Sequence, residues 1–244
     1  MPEGPSIVIL KEETSRFKGK KITKVSGSNA ELVERLKGQV IIDLKSWGKH
    51  FLICFKDFFI RIHLLMFGSY RIDERKDKKA QLSLKFKNGE LNFYTCSIKL
   101  TEGSPDDYYD WEIDVMSDTW NPKKAEKAMR NLKDTEIDDA LLDQDIFAGV
   151  GNIIKNEVLY RVSVHPETKI KSLPVKKLKE VIKEARNYSF DFYEWKKIFQ
   201  LRDHWMVYRK PKCPRCGSKI IMQYTGKRNR LSFFCTNCQS LFEK

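Results

Sequence analysis

The sequence predicts an α+β protein with more than one domain. Short runs of β-branched and aromatic residues dominate up to about residue 93, helical patterns follow residue 122, and four cysteines cluster near the end. A chain of 244 residues can form one large or two modest domains, each with its own core. We therefore expect an N-terminal antiparallel β-sandwich or barrel with a packed helix, then a helical domain, then a metal-bound β-hairpin.

The composition narrows the class of protein. A hydrophobic content of 41% and an aromatic content of 12% are typical of a folded chain. The formal net charge of +13 suits a polyanionic partner, although a soluble protein can also carry such charge as solvated surface. No apolar run approaches the length of a membrane span, and the N-terminus lacks the pattern of a secretory signal. We expect a cytoplasmic protein without a membrane partner, associated with the nucleoid if the source is bacterial.

The first five residues, Met1-Pro2-Glu3-Gly4-Pro5, contain a candidate nucleophile. Removal of Met1 would expose the secondary amine of Pro2, with the carboxylate of Glu3 beside it. An α-amine has a pKa near 8, so a fraction is neutral at working pH and can attack a carbonyl-like carbon. The product would be an iminium, which is an electron sink. The alternative is that proline and glycine only keep the terminus out of a helix.

The β-rich part begins with one helix. Ile7, Leu10 and Phe17 lie at helical spacing, and Gly19 ends the pattern. From residue 21 to about residue 93 the chain is predicted to form mostly short strands. The runs that indicate them are 40–42, 51–53, 58–60, 82–86 and 91–93. The last two runs flank Asn88-Gly89, which indicates a hairpin.

The second part is predicted to be helical. Residues 102–118 are acidic without a basic residue, so we expect a linker or outer face that lies away from a polyanion. The predicted helices that follow are 123–132, 137–142, 153–160, 175–187 and 190–201. The fourth of them has a basic face formed by Lys176, Lys177, Lys179 and Lys183. Such a face is more often solvated surface than a binding surface.

The cysteines indicate a metal site. Cys213-x2-Cys216 and Cys235-x2-Cys238 have the spacing of four thiolates that close tetrahedrally on one zinc ion. A fully ligated zinc is structural, and here it would hold a β-hairpin whose basic tip is residues 226–230. The alternative is a generic zinc ribbon with a solvated loop. Because the other two cysteines lie alone in strand-like runs, we expect a reducing compartment.

Three further segments are candidates for nucleic-acid contact. Gly149 and Gly151 permit a turn into the helix after Asn152, where free backbone N–H groups and the amide could hold a phosphate. The same pattern can be a tight connection between helices. The other two candidates lie in the β-rich part. One is Lys49, which follows Trp47-Gly48, and the other is the segment 63–68, which begins with His63.

The segment 63–68 contains a possible wedge. Leu65, Met66 and Phe67 precede Gly68, and such a run is more often core than functional. It is also what a protein needs if it extrudes a base and must fill the vacated space.

Together and in this order, the motifs resemble the formamidopyrimidine-DNA glycosylase and endonuclease VIII family. The resemblance covers essentially the whole chain. It rests on the Pro-Glu-Gly-Pro start, on Leu142-Asp143-Gln144 and Gly149-Val-Gly-Asn152 through His165-Pro166, and on the four-cysteine segment ending in Cys-x-x-Cys-Gln.

The resemblance implies three domains and a DNA substrate in the cleft between them. The domains would be an N-terminal β-sandwich catalytic domain (1–118), a helix-two-turns-helix DNA-binding domain (119–205) and a zinc finger (206–244). The partner would be duplex DNA that contains oxidised bases or abasic sites, and the protein would act as a monomer with one structural Zn²⁺.

The resemblance also implies residue roles. Pro2 would attack the sugar C1′ of a damaged nucleotide, and Glu3 would act as general acid and base. Lys49 matches a lysine associated with β-elimination, and Arg230 matches a finger-loop arginine that binds the lesion phosphate and assists δ-elimination. The residues that match DNA contacts or the wedge are Asn152, His63, Gly149, Gly151, Leu65, Met66 and Phe67.

The sequence departs from the family at three places. Ser6 replaces a usual glutamate that could take part in a proton relay, and Leu65 replaces a glutamine of some relatives, which removes a hydrogen bond to the opposite DNA strand. Residues 190–212 contain no glycine, whereas the purine-specific branch has a flexible Gly-rich loop there. The absence of that loop, together with the Pro-Glu-Gly-Pro start, favours the endonuclease VIII branch. We expect a bifunctional glycosylase and abasic-site lyase for oxidised pyrimidines; the alternatives are a purine-specific formamidopyrimidine and 8-oxoguanine enzyme and a non-catalytic damaged-DNA-binding protein.

Overall fold

The computed structural model describes residues 2–243, and the chain divides into two compact units, Met1–Asp110 and Trp111–Lys244. The division into three domains predicted from the sequence stays a prediction. Within residues 2–243, no helix combines the length and apolarity that a bilayer crossing requires.

The N-terminal unit is a β-sandwich with two helices. The helices are α1 (Gly4–Glu13) and α2 (Ala30–Leu36). The strands are β1 (Lys24–Gly27), β2 (Asp43–Trp47), β3 (His50–Cys54), β4 (Phe58–His63), β5 (Ser69–Ile72), β6 (Leu82–Phe86), β7 (Gly89–Tyr94) and β8 (Ser97–Glu102). They form two antiparallel sheets, in the orders β1-β6-β7-β5 and β2-β3-β4-β8. The alternative of a closed barrel is therefore excluded.

One apolar core joins both sheets and α1. It contains Ile7 and Leu10 from the helix and, for example, Phe51 and Phe93 from the two sheets. The predicted hairpin at Asn88-Gly89 is confirmed as β6–β7, where Leu84 pairs with Leu91. The alternation of apolar and polar residues in these strands sets which face enters the core.

Residues 30–36, within the stretch predicted to be mostly strands, form α2, and the Asn29 side chain caps this helix by accepting the Leu32 N–H at 3.0 Å. One strand predicted for this unit is wrong. Residues 40–42 form no strand; Val40 makes only an isolated bridge to Lys21. Hydrophobic runs of three residues do not distinguish an extended segment from a paired strand.

The C-terminal unit contains four helices and a hairpin. They are α3 (Pro122–Asn131), α4 (Ile137–Leu141), α5 (Asn152–Arg161), α6 (Val175–Lys197), β9 (Ile221–Thr225) and β10 (Arg230–Phe234). The last two strands pair antiparallel and confirm the predicted hairpin between the cysteine pairs. Its Phe233 shares one apolar core with the helices.

The two helices predicted at 175–187 and 190–201 are one helix, α6, so the predicted break is wrong. No proline or glycine interrupts the segment. The buried Ser189 hydroxyl donates to the Ala185 carbonyl at 2.7 Å, so its polar group is satisfied within the helix. The helix ends where Phe199 adopts a positive φ of 60°.

Part of the acidic segment 102–118 lies inside this unit rather than on an outer face. Ile113 and Val115 are buried, and the Ala148 N–H donates to the Ile113 carbonyl at 2.9 Å. The linker prediction is therefore wrong for residues 113–115. The acidic residues around Ile113 and Val115 hide their apolar character in the sequence. In the structure, the backbone of both residues is hydrogen-bonded to Ala148, which precedes α5.

Candidate active-site residues and nucleic-acid interface

Pro2 and Glu3 lie directly before α1. Glu3 is fully buried in an extended conformation, and its carbonyl accepts the Ser6 N–H at 2.8 Å. In the described part of the N-terminal unit, Glu3 is the one buried charged residue. Because burial of a carboxylate is costly, such a group is a candidate for chemistry. Met1, whose removal the sequence predicts, lies outside the described residues.

The segment between β4 and β5 projects apolar side chains. Leu64 is buried, whereas Leu65, Met66 and Phe67 are 46%, 52% and 81% exposed. The Gly68 N–H closes the turn on the Leu64 carbonyl at 2.7 Å, and a Cβ at Gly68 would lie 1.9 Å from that oxygen. The glycine therefore permits the tight turn. These three residues are not core, and exposed apolar groups of this size mark an interaction site.

A cationic cluster lies beside the β2–β3 turn. His50 on β3 pairs in register with His63 on β4, and their ring centroids are 5.5 Å apart. Burial is the largest cause that lowers the pKa of His50 to about 3, and the charges of Arg61 and Lys49 add to it. Burial also lowers the pKa of His63. Both imidazoles are therefore neutral at pH 7, and the positive charge of the cluster belongs to Lys49 and Arg61.

Sequence reasoning missed His50 and Arg61. The buried Nδ1 of His50 and the buried Nε of Arg61 have no hydrogen-bond partner among the described residues. Side chains alternate between the two faces of a strand. This alternation along β3 and β4, together with the register of the two strands, could have shown that His50 and Arg61 lie near His63. Buried polar atoms usually have a partner, so the Nδ1 of His50 and the Nε of Arg61 are unusual.

The turn between α4 and α5 is held by Gln144. Its Nε2 donates to the carbonyls of Leu142 and Val150 at 2.9 and 3.0 Å, and its Oε1 accepts the Gly149 N–H at 3.2 Å. Gly149 has a φ of 102°, which favours glycine. Gly151 is extended and precedes the first turn of α5. This side chain thus fixes the shape of the predicted phosphate clamp.

Asn152 connects the same turn to the hairpin. It is buried, and its Nδ2 donates to the Leu231 carbonyl at 2.8 Å. The amide therefore does not protrude into solvent. Its Oδ1 has no hydrogen-bond partner among the described residues, and one N–H of the amide remains for a further acceptor.

The basic hairpin tip is held by a carboxylate that sequence reasoning missed. Asp139 accepts the backbone N–H groups of Lys227 and Arg228 at 2.6 and 3.0 Å. Gly226 has a φ of 70°, and a Cβ there would lie 2.5 Å from the Asp139 carboxylate, so this close approach requires glycine. The predicted Arg230 is the last residue of this tip and the first residue of β10.

A buried polar chain lies beneath the tip. The fully buried Lys155 donates to the Ser232 hydroxyl at 2.6 Å, and Ser232 and Thr225 share a hydrogen bond of 2.5 Å. Thr225 in turn donates to the Asp138 carboxylate at 2.5 Å. Burial raises the pKa of Asp138, against the opposing effects of the Thr225 hydrogen bond and the Lys155 charge. This chain connects α4 and α5 to both strands of the hairpin.

The four cysteines converge at the base of the hairpin. Their Sγ atoms all lie within 4.8 Å of one another, with 3.8 Å between Cys213 and Cys238 and 3.5 Å between Cys216 and Cys235. Tetrahedral bonds of about 2.3 Å to zinc require sulfur separations of roughly 3.8 Å. The residues present therefore fit a zinc ion, and four thiolates leave no open position for chemistry.

Both knuckles of the cluster are closed by backbone hydrogen bonds. The Gly217 N–H donates to the Cys213 carbonyl and the Gln239 N–H to the Cys235 carbonyl, each at 2.9 Å. Gln239 also accepts the Cys235 N–H at 2.9 Å and donates to the Val164 carbonyl at 2.8 Å. The cluster is thereby attached to the segment after α5.

Comparisons with known proteins are consistent across the chain. The model of the formamidopyrimidine-DNA glycosylase N-terminal domain matches residues 1–99, and that of the formamidopyrimidine-DNA glycosylase H2TH domain matches residues 113–188. The crystal structure of Lactococcus lactis formamidopyrimidine-DNA glycosylase non-covalently bound to DNA with an AP site has a TM-score of 0.85 at 24% identity. That match covers 97% of this chain and 99% of the other, and it shows the shared fold.

Two curated relatives match a similar share of this chain but very different shares of their own length. Endonuclease 8-like 3 of Mus musculus is 31% identical over 221 residues, which cover 87% of this chain and 36% of the relative. The chain thus spans little more than a third of the length of that relative. The formamidopyrimidine-DNA glycosylase of Haemophilus influenzae is 30% identical over 240 residues, which cover 88% of each protein. Since that likeness extends over most of both proteins and both domain models match in order, the chain belongs to the formamidopyrimidine-DNA glycosylase family of DNA-repair proteins.

Proposed function

We propose that this protein is a bifunctional DNA glycosylase and abasic-site lyase that excises oxidised bases from duplex DNA. The observation that carries the proposal is the fully buried Glu3 next to Pro2, at the start of a helix whose Ile7 and Leu10 are embedded in the sandwich core. A nucleophile needs such a rigid support, and a buried carboxylate is suited to proton transfer.

In the proposed reaction, the Pro2 amine attacks C1′ of the damaged nucleotide and the glycosidic C–N bond breaks. The base departs with a proton, which Glu3 helps to supply, and the opened sugar remains as an iminium on Pro2. Loss of a C2′ proton then expels the 3′ phosphate by β-elimination, and a second elimination expels the 5′ phosphate. We assign assistance in these two steps to Lys49 and Arg230, respectively.

DNA contact is assigned to both units. In the N-terminal unit we assign Lys49 and His63 to flanking phosphates. In the C-terminal unit we assign the second amide N–H of Asn152, together with the backbone at Gly149 and Gly151, to a phosphate. Because phosphate contacts position DNA without reading its sequence, these groups suit an enzyme that searches for damage.

The exposed wedge supports a base-flipping step. Extrusion of a nucleotide leaves a gap in the stack, and an apolar side chain that fills it offsets part of the unstacking cost of a few kcal/mol. We assign this role to Leu65, Met66 and Phe67, whose exposure to solvent is otherwise unfavourable.

Oxidised pyrimidines are the proposed substrate class. Support comes from the absence of glycine in residues 190–212, from Leu65 in place of glutamine, and from the similarity to Endonuclease 8-like 3. We further propose that the protein acts as a monomer in the cytoplasm, and that the four cysteines hold one structural Zn²⁺.

Borohydride trapping on defined duplexes tests the proposal. We expect covalent trapping with dihydrothymine and 5-hydroxyuracil and with an abasic site, because each route passes through the iminium. Trapping with 8-oxoguanine alone would replace the substrate class with purines. No trapping even at an abasic site would replace the enzyme with a damaged-DNA-binding protein.

The nucleophile is tested at the terminus. Intact mass should show that the native protein lacks Met1, since Met1 would make the Pro2 nitrogen an amide. Pro2→Gly keeps a primary amine and should lose less single-turnover activity than an acetylated terminus. Equal loss in the two forms would exclude an N-terminal amine mechanism.

The role of Arg230 is tested by salt dependence. Arg230→Ala should weaken binding to an abasic duplex and lower the salt slope by about one, because one phosphate contact is lost. Lys127→Ala, which removes an exposed charge on α3, is the matched control and should leave the slope unchanged. An unchanged slope in Arg230→Ala would remove this residue from the phosphate contacts.

A further inference from the structure

The C-terminal unit contains a cavity to which the proposed reaction assigns no role. It lies between α3 and α6, has a volume of about 560 Å³, and is lined by residues of both helices and by Trp120. Pockets of a few hundred Å³ with apolar walls and a few convergent polar groups are typical of small-ligand sites. None of the residues assigned above to DNA contact or catalysis lines it.

The cavity combines an apolar lining with cations. Its apolar lining includes Trp120, Pro122 and Ile182. Four cationic side chains also line it: Lys123, Lys179, Lys183 and Arg186. Trp120 packs on the buried Phe147 with ring centroids 5.7 Å apart, so its ring is held in place.

Three cations of the cavity differ from Lys177, a lysine of α6 that lies outside it. Outside the cavity, Lys177 pairs with Glu180 at 2.5 Å. In contrast, the side chains of Lys123, Lys179 and Lys183 make no hydrogen bond or salt bridge with any residue from 2 to 243. Lys179 and Lys183 are also four residues apart on one helix, where like charges repel. An anion that binds between them would relieve this repulsion.

The one carboxylate that lines the cavity interacts with two cations. Glu126 accepts two hydrogen bonds from Arg130, at 2.6 and 3.1 Å, which are the largest cause that lowers its pKa, and the charge of Lys179 also lowers it. One carboxylate cannot balance the four cations that line the cavity. Arg186 is fixed by donating to the carbonyls of Val115 and Ser117 at 3.1 and 2.7 Å, and these neutral partners leave its charge uncompensated. The cavity therefore keeps an excess of positive charge with one cation held in a defined position.

We propose that this cavity binds a nucleoside phosphate, with the base against Trp120 and the phosphates between Lys123, Lys179 and Lys183. A base that stacks on an aromatic ring beside cations is the common mode of recognition for unpaired nucleotides. The volume suits one nucleotide rather than a peptide helix. The ligand is either a free nucleotide or one nucleotide of a single strand, and the inference does not depend on the chemistry at Pro2.

Calorimetric titration of the zinc-loaded full chain tests the site, with dATP, dAMP, tripolyphosphate and the oligonucleotide (dT)8 as probes. We expect dATP to bind more tightly than dAMP because it carries more charge, and about tenfold more tightly than tripolyphosphate because of stacking. If dATP binds, the cavity takes free nucleotides. If only (dT)8 binds, and does so through Lys179 and Lys183, the nucleotide belongs to a single strand.

Charge reversal localises the binding. The double variant Lys179→Glu/Lys183→Glu should weaken binding about tenfold or more, since two attractions become repulsions. The matched control Lys127→Glu/Lys176→Glu changes the net charge equally, at positions of α3 and α6 outside the cavity, and should weaken binding less than about threefold. All four lysines are exposed, so both variants should keep the thermal midpoint of the parent.

The aromatic contribution is separated by Trp120→Leu, which should weaken dATP binding and leave tripolyphosphate binding unchanged. Equal weakening in the two double variants would overturn the proposal in favour of non-specific attraction. Failure of both dATP and (dT)8 to bind, or binding of a glutamate-rich peptide in their place, would also overturn it. Lesion trapping, measured separately, reports on the proposed reaction alone.

Discussion

The two units of the protein are stabilised by different kinds of buried side chain. The core of the N-terminal unit is a continuous apolar cluster, and Glu3 is the one charged residue buried among its described residues. The C-terminal unit buries several charged residues besides its apolar cluster: Asp114, Asp138, Asp139, Lys155 and Glu157. Most of these charges contact the hairpin or the segment that leads to it.

Glu157 is an example of a buried charged residue that stabilises the C-terminal unit. Its carboxylate accepts the backbone N–H groups of Met206, Val207 and Tyr208 at 2.9, 3.0 and 2.8 Å. Burial raises its pKa, and these hydrogen bonds oppose that effect. Residues 206–208 are in neither a helix nor a strand, so their backbone N–H groups lack the partners that regular structure would supply. The buried Glu157 carboxylate accepts these hydrogen bonds instead. The sheets of the N-terminal unit thus depend on apolar packing, whereas the hairpin depends on a few specific polar groups in addition to the apolar packing of Phe233.

Metal removal should give the largest difference between the two units. Binding of zinc by four thiolates is worth about 10 kcal/mol or more of folding free energy in small zinc domains. A chelator should therefore abolish hydrogen-exchange protection in β9 and β10 while protection in β6 and β7 persists. Protection of both pairs of strands after the metal is verified absent would contradict a structural zinc.

Loss of the buried cation should have the next largest effect. Lys155→Met leaves the Asp138 carboxylate without its compensating charge, and we expect a loss of about 3–5 kcal/mol in urea unfolding. The double variant Lys155→Met/Asp138→Asn should recover part of this loss. A single variant within about 1 kcal/mol of the parent would show that the polar chain is dispensable.

Low pH should destabilise the N-terminal unit, whereas the two changes above destabilise the C-terminal unit. The pKa of His50 is lowered to about 3, so the folded N-terminal unit binds fewer protons than the unfolded chain below pH 6.5. Its stability is therefore lost as the pH falls from 6.5 toward 3, by about 2 kcal/mol at pH 5. The raised pKa values of Asp138 and Glu157 act in reverse, since their contribution is present at low pH and is lost as the pH rises.

The variant His50→Asn isolates this effect. It removes the titrating ring and should flatten the pH dependence of unfolding between pH 7.5 and pH 5. Unfolding followed by hydrogen exchange in β3 and β4 restricts the measurement to the N-terminal unit. A variant as acid-sensitive as the parent would mean that other groups cause the acid dependence.

The wedge should give the smallest effect on stability and a clear effect on activity. Phe67→Ala removes a side chain that is 81% exposed, so the free energy of unfolding should change by less than about 0.5 kcal/mol. Phe93→Ala in the same sandwich should cost about 3–5 kcal/mol, since that ring is fully buried. Single-turnover excision from duplex DNA should decrease about tenfold with Phe67→Ala because extrusion is less favourable. Unaltered excision would exclude Phe67 from the wedge.

Prediction from sequence succeeded where a feature depends on nearby residues. The β6–β7 hairpin follows from alternation around Asn88-Gly89, and the cysteine pairs converge as their spacing indicates. It failed for two segments, for different reasons. The break predicted inside α6 is wrong although the contact that satisfies the Ser189 hydroxyl is local, within the helix itself. Ile113 and Val115 of the acidic segment are buried where the distant Ala148 bonds to their backbone.

The Pro-Glu-Gly-Pro start, the Gly-Val-Gly-Asn turn and the two Cys-x-x-Cys pairs were sufficient by themselves to indicate the family, since local spacing determines tight turns and metal knuckles. Only the tertiary structure brought Asp139 to the hairpin tip, Lys155 to Ser232, and His50 to His63. These contacts join residues that are distant in sequence or lie on neighbouring strands. The reason is physical: a buried polar group is stable only with its partner, and that partner is selected by packing rather than by periodicity.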